Sequence, residues 1–152
     1  MWVPHALYSQ ILQSIPIPCV DLVVSDLSGK VLLLLRKNPP AAGHWWFPGG
    51  RVLFGETRAD AARRKLQEEC GLAGSKFVEI GTFDLIFESV QSPKIHSITT
   101  LFSACVQRPD DLLLDDQSLE ACWLEPRQWL ERDLHPFVLS RLTAQVSEAI
   151  AK

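Results

Sequence analysis

Residues 50–72 read GRVLFGETRADAARRKLQEECGL, a stretch whose charged side chains are spaced for work on phosphate. After Gly50 come Glu56, then Arg64 and Lys65, then the adjacent pair Glu68-Glu69, and the stretch closes on Gly71-Leu72. Mg²⁺ is a hard ion that prefers oxygen ligands in near-octahedral geometry and keeps several waters, so grouped carboxylates and a backbone carbonyl can hold it against a diphosphate. Arginine forks match phosphate oxygens. Outside the stretch, Asp21 stands inside the apolar run Cys19–Ser25. A lone buried carboxylate is costly there, which marks a residue kept for use.

A helix must present this cluster. Thr57 followed by Asp60 reads as a capping box, and 57–70 is free of Pro and Gly. At about 100° per residue, Ala59, Ala62, Leu66 and Cys70 share one arc, while Arg64, Lys65, Glu68 and Glu69 lie opposite with small Ala61 between them. The apolar arc is predicted to pack on a sheet and the charged arc to face a ligand. Gly71 ends the helix as its C-cap. The pairs Arg64–Glu68 and Lys65–Glu69 would be worth roughly a few tenths of a kcal/mol on any solvated helix. That reading leaves Pro48-Gly49-Gly50, Glu56 and Gly71-Leu72 unexplained.

The remaining elements supply the scaffold. With 152 residues, 47% of them apolar, the chain is expected to form one domain, 1–152, with a sizeable core. A net charge of −3 makes no bid for nucleic acid. No apolar run reaches membrane-spanning length, and no basic N-terminal region precedes an apolar stretch, so neither a membrane span nor a signal peptide is expected. Cys19, Cys70, Cys105 and Cys122 lack CxxC spacing; buried reduced thiols in a cytoplasmic protein are expected. The elements predicted are a short helix over 1–15, strands over 19–25 and 31–36 around the hairpin signal Asp26-Leu27-Ser28-Gly29, and a Pro-rich loop over 38–44. Strands follow the central helix over 77–83, 85–89, 97–106 and 121–124, with a loop at 90–96. Helices over 126–132 and 136–151 close the chain.

Residues 50–72 resemble the Nudix box. Gly50, Glu56, Arg64, Leu66, Glu68, Glu69, Gly71 and Leu72 fall where that pattern puts them. One position departs: the box carries a glutamate directly after its arginine, where this chain has Lys65. The resemblance implies an α/β fold, the Nudix α/β/α sandwich with a mixed central sheet. It also implies a metal site for Mg²⁺ or Mn²⁺ made by Glu69 and the Gly49 carbonyl, with Glu68 close by. Glu56 would support Arg64 or the loop. Lys65 removes a negative charge and adds a positive one, so weaker or fewer metal sites are expected than in a full box.

Outside the box, the loop Arg36-Lys37-Asn38-Pro39-Pro40-Ala41-Ala42-Gly43-His44-Trp45 and the run Pro48-Gly49-Gly50-Arg51-Val52 are similar to GDP-mannose mannosyl hydrolases. That branch also lacks the glutamate after the box arginine. It cleaves the C–O bond at the sugar's anomeric carbon, so the diphosphate is the leaving group. The resemblance implies that Arg36, Arg51 and Arg64 clamp the diphosphate, that Asp21 contacts the sugar or stabilises positive charge on it, and that Gln117 is a further metal ligand. The branch has a histidine after that glutamine as general base; here Ser118 stands there, and a serine hydroxyl cannot do that work unaided. Glu120 and Glu88 are candidate substitutes, as are His44 and His96 in their expected loops, with His44 the better placed of these two histidines beside Trp45-Trp46-Phe47; sequence does not single out the base. Trp45, Trp46 and Phe47 are either base-stacking or core, and core is the simpler reading, as it is for Phe83, Phe87 and Trp123.

Three readings follow. The first is a Mg²⁺-dependent hydrolase of a GDP-mannose-type nucleotide-sugar giving nucleoside diphosphate and sugar. The second is a Nudix pyrophosphohydrolase attacking phosphorus in a nucleoside diphosphate derivative, with Glu68 or Glu69 compensating for Lys65. The third is a Nudix fold that binds a nucleotide without turnover. The partner is the nucleotide-sugar or a related nucleoside diphosphate derivative, and the branch implies a homodimer.

Overall fold

The hairpin signal is built as the sequence suggests. Asp26 Oδ1 accepts hydrogen bonds from the backbone N–H groups of Ser28 and Lys30 and from the Ser28 hydroxyl, at 2.7–2.9 Å. Gly29 takes the positive φ of +87° that the turn needs. This turn joins β1 (Ile17–Asp26) to β2 (Val31–Arg36) in the computed structural model, which describes residues 2–90 and 92–152.

Helix α1 (His5–Ser14) precedes β1, and β2 is followed by the short strands β3 (Trp45–Trp46) and β4 (Gly49–Arg51). Helix α2 (Arg58–Cys70) leads into a long hairpin of β5 (Gly74–Ser89) and β6 (Ser92–Val106). A single 3₁₀ turn, β7 (Ser118–Leu124), α3 (Pro126–Leu130) and α4 (Pro136–Ile150) complete the chain. The strands form one seven-stranded sheet along the path β3-β2-β1-β6-β5, with β4 paired to β1 and β7 to β2. Strands β1 and β6 run parallel and the other pairs antiparallel, so the sheet is mixed.

Alternation along the central strands puts a core on each face. Val20, Leu22, Val24, Leu32 and Leu34 pack with Ala62, Leu66 and Cys70 of α2. Val23, Val31 and Leu33 face the other way, onto Trp129 of α3 and Val138 and Leu142 of α4. Trp129 is completely buried and its indole N–H donates to the Val31 carbonyl at 2.9 Å. Helix, sheet and helix thus stack in the expected α/β/α order.

The region after α2 differs from its sequence reading. Strands over 77–83 and 85–89 are one strand, and most of the expected loop over 90–96 belongs to β6; Gln91 and Met1 lie outside the described residues. Asp84, between the two expected strands, sits exposed in the ladder opposite Ile98. His96, taken for a loop residue, is paired with Ile86 in that ladder and stands 3.3 Å from Asp84. Among the described residues no helix is long and apolar enough to cross a membrane.

Candidate active site

The site begins with two glycines pressed against β1. Gly49, Gly50 and Arg51 pair with Asp21, Val20 and Cys19 respectively. A Cβ on Gly49 would lie 2.6 Å from Asp21 Oδ1, and one on Gly50 would lie 2.7 Å from Lys65 Cε. Both positions therefore keep backbone close to the side chains of Asp21 and Lys65.

Helix α2 then supplies the charges. Thr57 is its N-cap and accepts from the Asp60 N–H at 3.1 Å, while Gly71 closes it at φ +63°. Arg64 forms a two-pronged contact with Glu56, Nε to Oε1 at 2.6 Å and Nη2 to Oε2 at 3.0 Å. It donates also to Glu68 at 3.0 Å and to the Arg51 carbonyl at 3.0 Å. Glu56 ties back the loop by accepting from the Leu53 N–H. Arg64 is thus held among Glu56, Glu68 and the Arg51 carbonyl and fixes the loop to α2.

Glu69 is buried, and both its oxygens have partners: Oε2 accepts from the Gly49 N–H at 3.0 Å and Oε1 faces the Lys65 ammonium at 3.0 Å. Burial pushes its pKa up, against the pull of Lys65 and the Gly49 N–H. Glu68 Oε2 lies 3.6 Å from the same ammonium.

Across the cleft Asp21 is buried, accepting from Thr99 Oγ1 at 2.6 Å and from the Trp46 indole N–H at 3.2 Å. Burial pushes its carboxyl up to about 7, against the opposing pull of those two donors and of Arg36. A carboxyl so displaced, in a cleft with cations, has the character of a functional group. Arg36 is steered by its Nε bond to the Pro40 carbonyl at 2.7 Å. The Arg51 guanidinium lies 4.8 Å from the centre of the Tyr8 ring, which ties α1 to the site.

Asp21, Arg36, Gly49, Arg51, Arg64, Glu68, Glu69 and Gln117 all line one cleft of about 580 Å³. A second cavity of about 400 Å³ adjoins it, sharing Pro39, Pro40, Ala41, Phe87 and Ile95 and adding His44, Glu88 and His135. Of the substitutes for the absent histidine, His44 and Glu88 border this cavity, and Glu88 is paired with Lys94 at 2.6 Å. Ser118 and Glu120 sit in β7 opposite Arg36 and Leu35 and line neither space, nor does His96. Trp46 and Phe47 are core, although Trp46 also reaches the cleft.

His135 escaped the sequence reading. It is the N-cap of α4, accepting from the Phe137 N–H through Nδ1 at 3.1 Å, and its ring packs 5.9 Å from His44 and 5.0 Å from Trp46. A histidine before Pro136 at a helix start was the available signal, but only the fold carries it to β3.

Comparison with known proteins agrees with this architecture. The NUDIX domain profile matches residues 16–145. The chain belongs to the Nudix hydrolase family. It is 33% identical to the low-salt glycan biosynthesis protein Agl8 of Haloferax volcanii over 145 residues, covering 93% of this chain and 90% of that protein. It is 34% identical over 118 residues to an oxidized purine nucleoside triphosphate hydrolase of Danio rerio, covering 78% and 69%. The fold is shared with the NUDIX domain of Shewanella oneidensis NrtR, solved with ADP ribose, at TM-score 0.69 and 21% identity over 97% of this chain and 99% of that one.

Nudix hydrolases generally use divalent metals such as Mg²⁺. The donors expected for such an ion are otherwise engaged in this chain. Glu69 is shared by the Gly49 N–H and Lys65, and Glu68 by Arg64 and Lys65. Among the described residues no three His, Cys, Asp or Glu side chains converge as a metal-holding group. In this arrangement the residues do not fit a divalent ion of the usual kind.

Proposed function

We propose that the protein hydrolyses a nucleotide-sugar of the GDP-mannose type, water replacing the diphosphate at the anomeric carbon to give nucleoside diphosphate and free sugar. The observation that carries this reading is the pairing, across one cleft, of the arginines Arg36 and Arg51 with the buried Asp21. When the C–O bond breaks, negative charge gathers on the diphosphate and positive charge on the sugar. The two arginines meet the first with fixed guanidinium forks, and ionised Asp21 meets the second. The likeness to a glycan biosynthesis protein along nearly the whole chain supports a sugar-bearing substrate.

The adjoining cavity has the size and mixed lining for a hexose, and His44 at its wall is our candidate for the base that activates water. Arg64 acts as a positioning residue, through Glu56 and the Arg51 carbonyl. The family resemblance implies that Mg²⁺ or Mn²⁺ on Gly49, Glu68, Glu69 and Gln117 shares the leaving charge with the arginines. With Lys65 among those donors, no step of this proposal passes through a metal. The described cysteines are free, in keeping with action in the cytoplasm, which belongs to the same proposal together with a homodimeric state.

The test is incubation in ¹⁸O-labelled water with GDP-sugars and other nucleotide-sugars, followed by separation of products. Nucleoside diphosphate and sugar, with the label in the sugar, are expected. Nucleoside monophosphate and sugar phosphate, with label on phosphorus, would replace this reading with pyrophosphohydrolysis.

A further inference from the structure

The ammonium of Lys65 occupies the place between the two box carboxylates. Its Nζ stands 3.0 Å from Glu69 Oε1 and 3.6 Å from Glu68 Oε2. The side chain is only 10% exposed, with its stem lying along Gly50 so closely that a Cβ there would meet Cε at 2.7 Å. This is a built position. A buried ammonium persists only where carboxylates pair with it, and here both lie on the same helix.

Charge points the same way. The three carboxylates of Glu56, Glu68 and Glu69 face the two cations of Arg64 and Lys65, leaving the cluster a single negative charge in excess. A divalent ion added between Glu68 and Glu69 would meet an ammonium already paired with both, with only that single excess charge to hold it. An ammonium has three N–H donors. With Glu68 and Glu69 facing Lys65 and its side chain lining the cleft, one donor remains for an anion there.

We propose that Lys65 is a built-in replacement for the divalent ion, anchored by Glu68 and Glu69 and donating to the diphosphate, so that the cleft binds diphosphates without any divalent cation. This rests on the diphosphate-binding part of the function proposed above and is independent of which bond is cleaved. The glutamates then serve to hold a lysine, and the departure from the box pattern is a substitution of cation for cation.

The test uses inorganic pyrophosphate, which carries neither base nor sugar, titrated into the full chain by calorimetry in EDTA. The wild type is expected to bind, and Lys65→Gln to bind at least about tenfold more weakly, as loss of a charge-assisted contact implies. Gly50→Ala, which keeps every charge but crowds the lysine stem, should weaken binding too and covers the case in which Lys65→Gln does not fold. Mn²⁺ titration followed by paramagnetic resonance supplies a second readout: no tight site in the wild type, and a new one in Lys65→Glu. Pyrophosphate binding by the wild type only with Mg²⁺, or Mn²⁺ binding equal to that of Lys65→Glu, would overturn the proposal and leave Lys65 as a structural ion pair. Metal-free pyrophosphate binding without turnover of any nucleotide-sugar would support the lysine's role while removing the hydrolase reading.

Discussion

Arg64 and Glu56 meet in a two-pronged contact, Nε to Oε1 at 2.6 Å and Nη2 to Oε2 at 3.0 Å, that closes the loop after β4 onto α2. Arg51, the last residue of β4, stands at the start of that loop, and its carbonyl accepts from the same guanidinium. Geometry at the proposed diphosphate site therefore depends on a pair that need not touch the substrate. Glu56→Gln should lower stability by about 2 kcal/mol, the usual scale for a charge-assisted bond. It should also weaken pyrophosphate binding. The contact holds the Glu56 pKa below its ordinary 4.5. A depressed acid contributes stability above its unfolded pKa and loses it as pH falls through the folded one. The gap between wild type and Glu56→Gln in urea melts should accordingly shrink below pH 4.5.

Asp21 has the opposite sign. Its pKa is raised from 3.8 to about 7 by burial, so the ionised form is a burden on the fold. Both folded and unfolded chains are protonated well below 3.8, and the burden grows as pH rises to about 7, then stays level. Asp21→Asn should therefore gain stability over the wild type across that interval, as read by urea melts at a series of pH values. It should lose turnover at every pH, and the wild-type kcat/KM should rise with pH through about 7. A flat wild-type profile would remove ionised Asp21 from the mechanism.

Arg36 is held by the Pro40 carbonyl at 2.7 Å through Nε, a donor that lysine lacks in this position. Arg36→Lys keeps the charge and loses the fixed fork. If the guanidinium meets charge that develops on the leaving diphosphate, the variant should lose roughly ten- to a hundredfold in kcat with little change in KM, as for a contact made in the transition state. A change confined to KM would make Arg36 a ground-state binder.

Legibility in the sequence followed the range of the interactions. Helix α2 was readable because its cap, Thr57 with Asp60, and its stop, Gly71, are local, and the cleft lining followed from motif positions. The inward burial of Lys65 and Glu69 was not readable, because α2 faces both the core and the β4 strand, and a helical wheel separates only two sides. The Thr99–Asp21–Trp46 arrangement depends on the parallel register of β1 with β6, which no local pattern encodes. The continuity of β5 is not legible locally, because an exposed aspartate such as Asp84 looks alike in a strand and in a loop.

The two histidines of the smaller cavity separate by the same kind of argument. His135 Nδ1 accepts from the Phe137 N–H, so the proton of its neutral ring sits on Nε2. Burial and the neighbouring His44 push its pKa below the ordinary 6.5, keeping that ring neutral. Its nitrogens are thus a committed acceptor and a donor, suited to bind a hydroxyl and unable to take a proton from water. His44 is exposed at the cavity wall and bears no such commitment. His44→Gln should reduce kcat by about two to four orders of magnitude, the scale of a lost general base. His135→Asn, whose amide oxygen can still cap α4, should raise KM for the nucleotide-sugar and leave kcat within a few fold. Steady-state kinetics on both variants decides between them, and a reversed pattern would move the base to His135 and require Phe137 to release its nitrogen.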